Sequence, residues 1–191
     1  MVRQKTIFCK LNSILQTDRE LLDTAMQALR IDMIACPRCG AKACCREHGS
    51  YWRWMTTIEC GKRIDCSIEI PRVFCESCGH THAIIPDVLI PYQSYSLRFI
   101  LSTLSNYLQR KCTVSAFCDQ WQIAVSTLYL WKHLFLEQAS LWLGKLEQVN
   151  ILCEKLLNRM RDVKNFPAEF FEQFRFSFLQ NRKTTKYMNS S

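Results

Sequence analysis

The chain has 191 residues, which allows one modest core with an added module or two small domains and excludes a large multidomain enzyme. Apolar residues make up 48% of it, with only five glycines and five prolines, so the chain is too rich in core-forming residues to be disordered. The net charge of +8 favours an acidic partner such as nucleic acid or an anionic surface. Twelve cysteines are far above ordinary usage and indicate a need for thiolates.

The N-terminal residues carry repeated charges, at Arg3, Lys5, Lys10 and Asp18 among others, so we expect no signal peptide. No uncharged apolar stretch approaches the 18 residues of a membrane helix, and we expect no membrane partner. Both observations place the chain in a reducing cytoplasm. Disulfides are disfavoured there, so clustered cysteines are more often metal ligands.

Four segments differ in pattern, and together they predict an α+β fold in which a small β-hairpin module precedes a mainly helical domain. They are an N-terminal helical segment (1–35), a cysteine-rich segment with strand-like alternation (36–91), a helical domain (92–150), and a C-terminal helix with a basic tail (151–191). The last segment carries half of the excess positive charge.

Two short motifs dominate the cysteine-rich segment, Cys36-Pro-Arg-Cys39-Gly and Cys75-Glu-Ser-Cys78-Gly, with 35 residues between them. A Cys-x-x-Cys turn presents two thiolates from one loop, and the glycine that follows accepts the unusual backbone angles of such a turn. Four thiolates satisfy tetrahedral zinc. The spacing therefore predicts one Zn²⁺ ion per chain, bound by Cys36, Cys39, Cys75 and Cys78.

The residues between the two motifs indicate a β-hairpin. Ile64, Cys66, Ile68 and Ile70 alternate with polar residues, so they form one apolar strand face. A second strand is expected over 51–55, with the turn at Gly61 and Lys62. Two cysteine motifs on a hairpin define a zinc ribbon, and the metal would supply much of the folding free energy of so small a sheet.

Other interpretations of the cysteines stay open. The four could be ordinary buried residues, or CPRC could be a redox pair, although its usual βαβ context is missing. A second zinc ion could use residues close to the two motifs, namely Cys44, Cys45, His48, His80 or His82. Four further cysteines are expected to act as small core side chains: Cys66, Cys112, Cys118 and Cys153.

After a helix from about Ser94 to Arg110, the stretch TVSAFCDQWQIAVSTLYLWKHLF predicts a helix-turn-helix. Thr113 and Ser126 are expected to cap its two helices, and Gln122 takes the turn position where glycine is common. Apolar residues at the offsets of a shared core are Val114, Phe117, Trp121, Ile123, Leu128 and Trp131.

If the second of these helices (126–137) enters a major groove, its outward side chains face the bases. The predicted DNA-binding residues are Ser126, Thr127, Tyr129 and His133, with Lys132 on a phosphate and Leu130 beside them. This set is poor in the side chains that make bidentate base contacts, so strong sequence readout is not expected. The alternative is a three-helix packing unit that never touches DNA.

The motifs CPRCG, HGSYWR, IPRVFCESCG and TVSAFCDQWQIAVSTLYLWK together resemble the zinc-ribbon and helix-turn-helix front end of insertion-sequence transposases. They are more closely similar to bacterial proteins that carry this front end alone, as a domain of unknown function. The resemblance covers about residues 36–140. It implies binding to DNA ends or operators in a bacterial, nucleoid-associated protein, with the four motif cysteines on zinc and the helix near Ser126 as the reader.

The nuclease domain of such transposases has no counterpart here, because only about 50 residues follow the reader helix and their pattern is helical. We therefore expect no enzyme. The tail places Phe170, Phe171, Phe174 and Phe178 on one stripe, which packs either on the other helices or on a partner. Its basic side chains either contact phosphates or only solvate the end: Arg175, Arg182, Lys183 and Lys186.

The sequence thus predicts a non-catalytic, zinc-dependent protein that binds double-stranded DNA, as a regulator or as an accessory or remnant of a mobile element. The alternative is a zinc-stabilised interaction module that binds a transposase or a second copy of itself. Thiol redox catalysis ranks last.

Overall fold

The computed structural model describes residues 5–7, 27, 30–86, 89–143, 170–171, 173–174 and 176–181. Its strands are β1 (Lys5–Ile7), β2 (Cys45–Glu59), β3 (Lys62–Cys75) and β4 (His80–Pro86). Its helices are α1 (Leu97–Gln109), α2 (Val114–Trp121) and α3 (Val125–Leu143), and a short 3-10 helix (Ile31–Met33) precedes the first cysteine motif. Most of the helical segment expected over 1–35 lies outside the described residues, as does Cys153.

One sheet holds all four strands in the order β1-β4-β3-β2. The neighbours β2, β3 and β4 are antiparallel, and β1 adds a parallel pairing to β4. The element content agrees with the expected α+β class. The alternating pattern predicts β2 and β3 but neither β1 nor β4, so the sheet is larger than the expected hairpin.

The tight turn between β2 and β3 lies at Cys60 and Gly61, one residue before the position expected from the sequence. Glu59 pairs with Lys62, so only two residues connect the strands. Both have positive φ, 48° at Cys60 and 74° at Gly61, as a turn that follows the twist of a hairpin requires. The chain therefore holds one non-glycine residue in the left-handed region at the hairpin tip.

The two faces of β3 pack into different apolar clusters because successive side chains point to opposite faces. Ile68 and Ile70 are buried on one face, in a cluster with Met55 of β2. Val73 and Cys75 lie on the other face in a second cluster. The apolar face expected from the alternation is confirmed at its centre, whereas Ile64 near the hairpin tip is 37% exposed.

The largest apolar cluster joins the three helices to the C-terminal residues. Trp131 of α3 contacts Phe99 of α1 edge to face, with ring centroids 6.2 Å apart. Phe170 and Phe178 are completely buried in the same cluster, and Phe178 packs on Phe135 of α3. Of the two interpretations of the phenylalanine stripe, the structure supports packing against the protein's own helices for these two residues.

Polar contacts attach the sheet to the start of α1. Thr56 exchanges backbone hydrogen bonds with Ser94 and Ser96, and Ser96 caps the helix by accepting a hydrogen bond from the amide of Phe99. Arg53 donates to the carbonyl oxygens of Ile90 and Gln93. The helix begins at Leu97 instead of near Ser94, because residues 94–96 are engaged with β2. Among the described helices, none combines the length and apolar content needed to cross a bilayer.

Candidate metal centre and exposed helical surface

The two cysteine motifs form the same local turn. In each, the glycine amide donates a 2.9 Å hydrogen bond to the carbonyl of the first cysteine, Gly40 to Cys36 and Gly79 to Cys75. Both glycines have positive φ, 74° and 66°. L-residues rarely adopt this conformation, so glycine is the residue type that permits the turn to close.

The fold brings the four motif cysteines together. Their sulfur atoms all lie within 4.8 Å of one another, although the two motifs are far apart in the chain. The Cys36 and Cys78 sulfurs are 3.7 Å apart, and those of Cys39 and Cys75 are 3.8 Å apart. A tetrahedral site with metal–sulfur bonds of about 2.3 Å requires sulfur separations of about 3.8 Å, so this set can hold a metal ion.

The topology explains this convergence. The first motif lies in the loop that enters β2, and the second forms the turn between β3 and β4. Cys45, at the start of β2, is paired with Cys75 at the end of β3, so both motifs meet at one end of the sheet. Cys36 and Cys75 are buried there beside Val73, whereas Cys39 is exposed.

A buried imidazole lies against the cluster. His82 on β4 is 1% exposed, and its Nε2 is 3.3 Å from the Cys36 sulfur. The backbone amide of Arg38 also donates to this sulfur, at 3.4 Å. Hydrogen bonds to a ligand atom fix its orientation and tune its metal affinity. From the sequence, His82 was a candidate only as a ligand of a second ion. It lies opposite Val73 on β4, a strand that the sequence did not predict, and this position places it beside Cys36.

Burial and hydrogen bonds shift the thiol pKa values of neighbouring cysteines in opposite directions. Desolvation by burial opposes ionisation of Cys75, but hydrogen bonds from Cys44 and the neighbouring thiols outweigh it and hold its pKa below the usual value. The pKa of Cys44 is raised by its hydrogen bond to Cys75, and that of Cys78 by burial and then by Cys75. A metal binds cysteine as the thiolate, so metal binding at this cluster must release protons.

The other candidate metal ligands fall into two sets, two cysteines that adjoin the four-cysteine cluster and two histidines that do not. Cys44 and Cys45 adjoin the cluster, with the Cys44 sulfur 3.3 Å from that of Cys75. His48 is exposed and contacts the Phe74 ring, and His80 contacts the carbonyl of Cys78 through Nδ1. Neither of these two histidines belongs to a group of potential ligands within the part of the chain that the structure describes.

The cysteines expected in the core behave differently from one another. Cys118 is buried between the helices, as expected, and Cys66 is half-buried with its thiol 3.6 Å from the carbonyl of Met55. Cys112 is exposed, so its assignment to the core was wrong. It lies in the short connection between α1 and α2, where the helical pattern of its neighbours does not continue.

The connection between α2 and α3 is tight. Thr113 caps α2 by accepting a hydrogen bond from the amide of Ala116, as predicted. Gln122 ends α2 in the left-handed conformation, with φ 51° and ψ 50°. The amide of Ile123 then donates to the carbonyl of Cys118. Ser126 does not cap α3, because that helix already begins at Val125 and Ser126 falls within its first turn.

The predicted DNA-binding residues all lie on the first half of α3. Ser126, Tyr129 and His133 are exposed, and Thr127 is half-buried. Lys132 is also half-buried, with its ammonium 5.9 Å from the centre of the Tyr107 ring. Leu130 is exposed beside Tyr129. Their role in binding stays a prediction.

The described residues thus define an α+β protein with a four-cysteine cluster at one end of a mainly antiparallel sheet and with three helices, of which α1 and α2 contact the β2–β3 hairpin. The chain belongs to the family described as Domain of unknown function (DUF6431), whose model matches residues 36–131. No curated protein and no solved structure shows significant similarity to it. The match spans the cysteine motifs, α1, α2 and the first residues of α3, and the domain boundary expected between residues 91 and 92 stays a prediction.

Proposed function

We propose that this protein is a non-catalytic, zinc-dependent DNA-binding protein in which a zinc ribbon supports a helix-turn-helix. The observation that carries the proposal is the orientation of α3. Its inner face, with Leu128, Trp131 and Phe135, is locked in the core, while Ser126, Tyr129 and His133 face solvent. A helix held rigidly on one side and exposed on the other is suited to enter a major groove.

The cysteine cluster supports zinc as the metal. Four thiolates with the spacing of a tetrahedron match the closed coordination of structural zinc, which needs no further ligand. The surrounding sheet is small, so metal binding would contribute much of its folding free energy.

Positive charge near α3 supports a polyanionic partner. The Tyr107 ring lies 3.8 Å from the guanidinium carbon of Arg110 and 5.9 Å from the ammonium of Lys132. Lys111 is exposed next to Arg110 and lines, with polar residues of α1 and α2, an open cavity of about 460 Å³. Arg110 thus shares the Tyr107 ring with Lys132 and the cavity with Lys111, and we infer that DNA phosphates approach these cations.

The exposed face of α3 limits sequence recognition. Residues 125–137 contain no arginine, asparagine or glutamine, the side chains that make the common bidentate contacts to bases. We therefore infer that phosphate contacts supply most of the affinity and that binding depends steeply on salt. Regulation or an accessory role in a mobile element, as suggested by the resemblance to transposase front ends, fits such a binder.

The test combines metal analysis of the purified full chain with retention of duplex DNA at a series of salt concentrations. We expect about one zinc per chain. Lys132→Ala and Lys111→Ala should each weaken binding to unrelated sequences and reduce the slope of log affinity against log salt by about one. Lys42→Ala is the control, because it removes the same charge from an exposed loop next to the cysteine cluster. Salt-independent retention, or equal retention by all variants, refutes the proposal.

A second candidate function is a protein-interaction module that binds itself or a transposase. Trp52 and Trp54 favour it, because they lie two residues apart on one face of β2 and are 69% and 68% exposed. Large exposed aromatic side chains are typical of the centres of protein interfaces. Self-association that persists at high salt and is lost in Trp52→Ser would support this function. A wild-type protein that stays monomeric at every salt concentration would exclude self-association.

A further inference from the structure

We propose that Cys44, Cys45 and Cys75 form a second metal site, for a soft monovalent ion of the Cu(I) class. Cys75 would bridge this ion and the zinc of the four-cysteine centre. The inference uses the zinc centre of the proposed function through the shared Cys75, but it is independent of DNA binding.

The three sulfur atoms are arranged for one ion. They lie within 4.8 Å of one another, and those of Cys44 and Cys75 are 3.3 Å apart. A trigonal site with metal–sulfur bonds of about 2.3 Å needs sulfur separations of about 4.0 Å, which small side-chain adjustments reach. The three thiols can therefore bind one ion without movement of the backbone.

The backbone holds these residues in place. Cys45 and Cys75 are directly opposed in the pairing of β2 with β3, which puts their side chains on the same face of the sheet. The amide of Glu76 donates a 2.9 Å hydrogen bond to the carbonyl of Cys44, which fixes Cys44 beside the second cysteine motif. The site is thus built by the same strand end that supplies Cys75 to the zinc centre.

The surroundings favour a three-coordinate soft ion over a second zinc. Cys45 and Cys75 are buried in an apolar cluster with Ile34, Val73 and Ile84, which limits access of water as a fourth ligand. Among the residues that the structure describes, this group contains three donors, all of them sulfur. Structural zinc is almost always four-coordinate, whereas Cu(I), another ion that soft thiolates select, accepts three sulfur ligands.

Binding requires no electron transfer, because the ion enters and stays as Cu(I). Its acetonitrile ligands leave, the Cys44 and Cys45 thiols release their protons to solvent, and the two sulfur atoms form copper–sulfur bonds. Cys75, which would be a thiolate in the zinc centre, would supply the third copper–sulfur bond through a second lone pair.

The experiment is an anaerobic titration of the zinc-loaded full chain with Cu(I), added as its acetonitrile complex and followed by native mass spectrometry. A Cu(I) chelator in the buffer removes weakly held copper. We expect a species with one zinc and one copper. Cys45→Ser should keep the zinc and lose the copper, and Cys44→Ser, which changes a less buried residue, should do the same. Cys66→Ser is the control: it removes a half-buried thiol outside the cluster and should keep both ions.

Two results would overturn the second site: copper that replaces zinc in the wild type, or copper retained by both Cys45→Ser and Cys44→Ser. Failure of the zinc centre is separately visible, as a wild-type chain that takes up no zinc. In such a chain, loss of bound copper in the Cys45→Ser variant would still support the three-thiol site. Equal copper binding by the wild type and this variant would reject it.

Discussion

Arg63 of β3 donates hydrogen bonds to the carbonyl oxygens of Gln122, at 2.6 Å, and Trp121, at 3.1 Å. Its guanidinium therefore lies at the C-terminal end of α2, where helix carbonyls lack partners and carry partial negative charge. Asp65 orients the same side chain through a salt bridge of 3.0 Å. This contact connects the hairpin directly to the turn that precedes the exposed part of α3.

Arg63→Met should lower the free energy of unfolding by about 1–2 kcal/mol, since it leaves two helix-terminal carbonyls without their charged donor. Chemical denaturation of the zinc-loaded protein measures the change. Lys62→Met is the matched control, because this neighbouring cation is exposed in the hairpin. Equal effects of the two substitutions would show that Arg63 does not connect the sheet to the helices.

The hydrogen bond between His82 and Cys36 should strengthen metal binding. Loss of a partner that hydrogen-bonds a ligand typically costs 10–100-fold in metal affinity, so we expect a fall in that range for His82→Phe. Competition with a chromophoric zinc chelator measures it. His48→Phe, at an exposed position, should leave the affinity unchanged. An unchanged affinity in His82→Phe would mean that the imidazole only fills space.

Glycine at position 122 should make the folded protein more stable than glutamine does. The φ of 51° at Gln122 places a side chain in the left-handed region, and glycine has no Cβ to be strained there. We expect Gln122→Gly to stabilise the protein by about 0.5–1 kcal/mol in thermal unfolding. Gln120→Gly, two residues earlier in α2, is the control with the opposite sign: it should destabilise by about 1 kcal/mol. Destabilisation by both would contradict the turn geometry.

Asp65 should make stability depend on pH in the acid range. The hydrogen bonds from Arg63, and then from Thr56, hold its pKa below the ordinary value of 3.8. A carboxyl group whose pKa is depressed in the folded protein stabilises the fold at pH values above its ordinary pKa. This contribution is lost as the pH falls through the folded-state pKa. The loss therefore occurs below about pH 3.8, and because the side chain is 47% exposed it should stay under about 1 kcal/mol.

Asp65→Asn should remove this part of the pH dependence, as measured by denaturation of the zinc-loaded wild type and variant side by side at several acidic pH values. Because acid also displaces zinc from thiolates in both proteins, the difference between their two pH profiles is the quantity that reports on Asp65. Glu59→Gln at the hairpin tip serves as the control, and a pH profile unaltered by Asp65→Asn would argue against the ion pair with Arg63.

Features that depend on a few neighbouring residues were predictable from the sequence. The two Cys-x-x-Cys-Gly turns, the Thr113 cap and the strained position at Gln122 each arise from local backbone geometry, and all three are present. The alternation around Ile68 and Ile70 predicted the buried face of β3, because a strand exposes and buries successive side chains in turn. Where such signals compete the sequence was ambiguous: Ser126 is a good capping residue, yet α3 starts one residue before it.

The two cysteine turns, the apolar strand face and the Thr113 cap were thus determined by the sequence alone, since each of these features is encoded by neighbouring residues. Only the tertiary structure decided that Cys44 and Cys45 adjoin Cys75, that β4 brings His82 to Cys36, and that Arg63 reaches the end of α2. These contacts join residues that are 30 to 60 positions apart, and they are set by the pairing of β4 with β3, by the exact register of the hairpin and by packing of the hairpin on α2. Local patterns predicted the hairpin but neither the added strand nor this packing, so the chemistry gathered at one end of the sheet becomes visible only when the chain is folded.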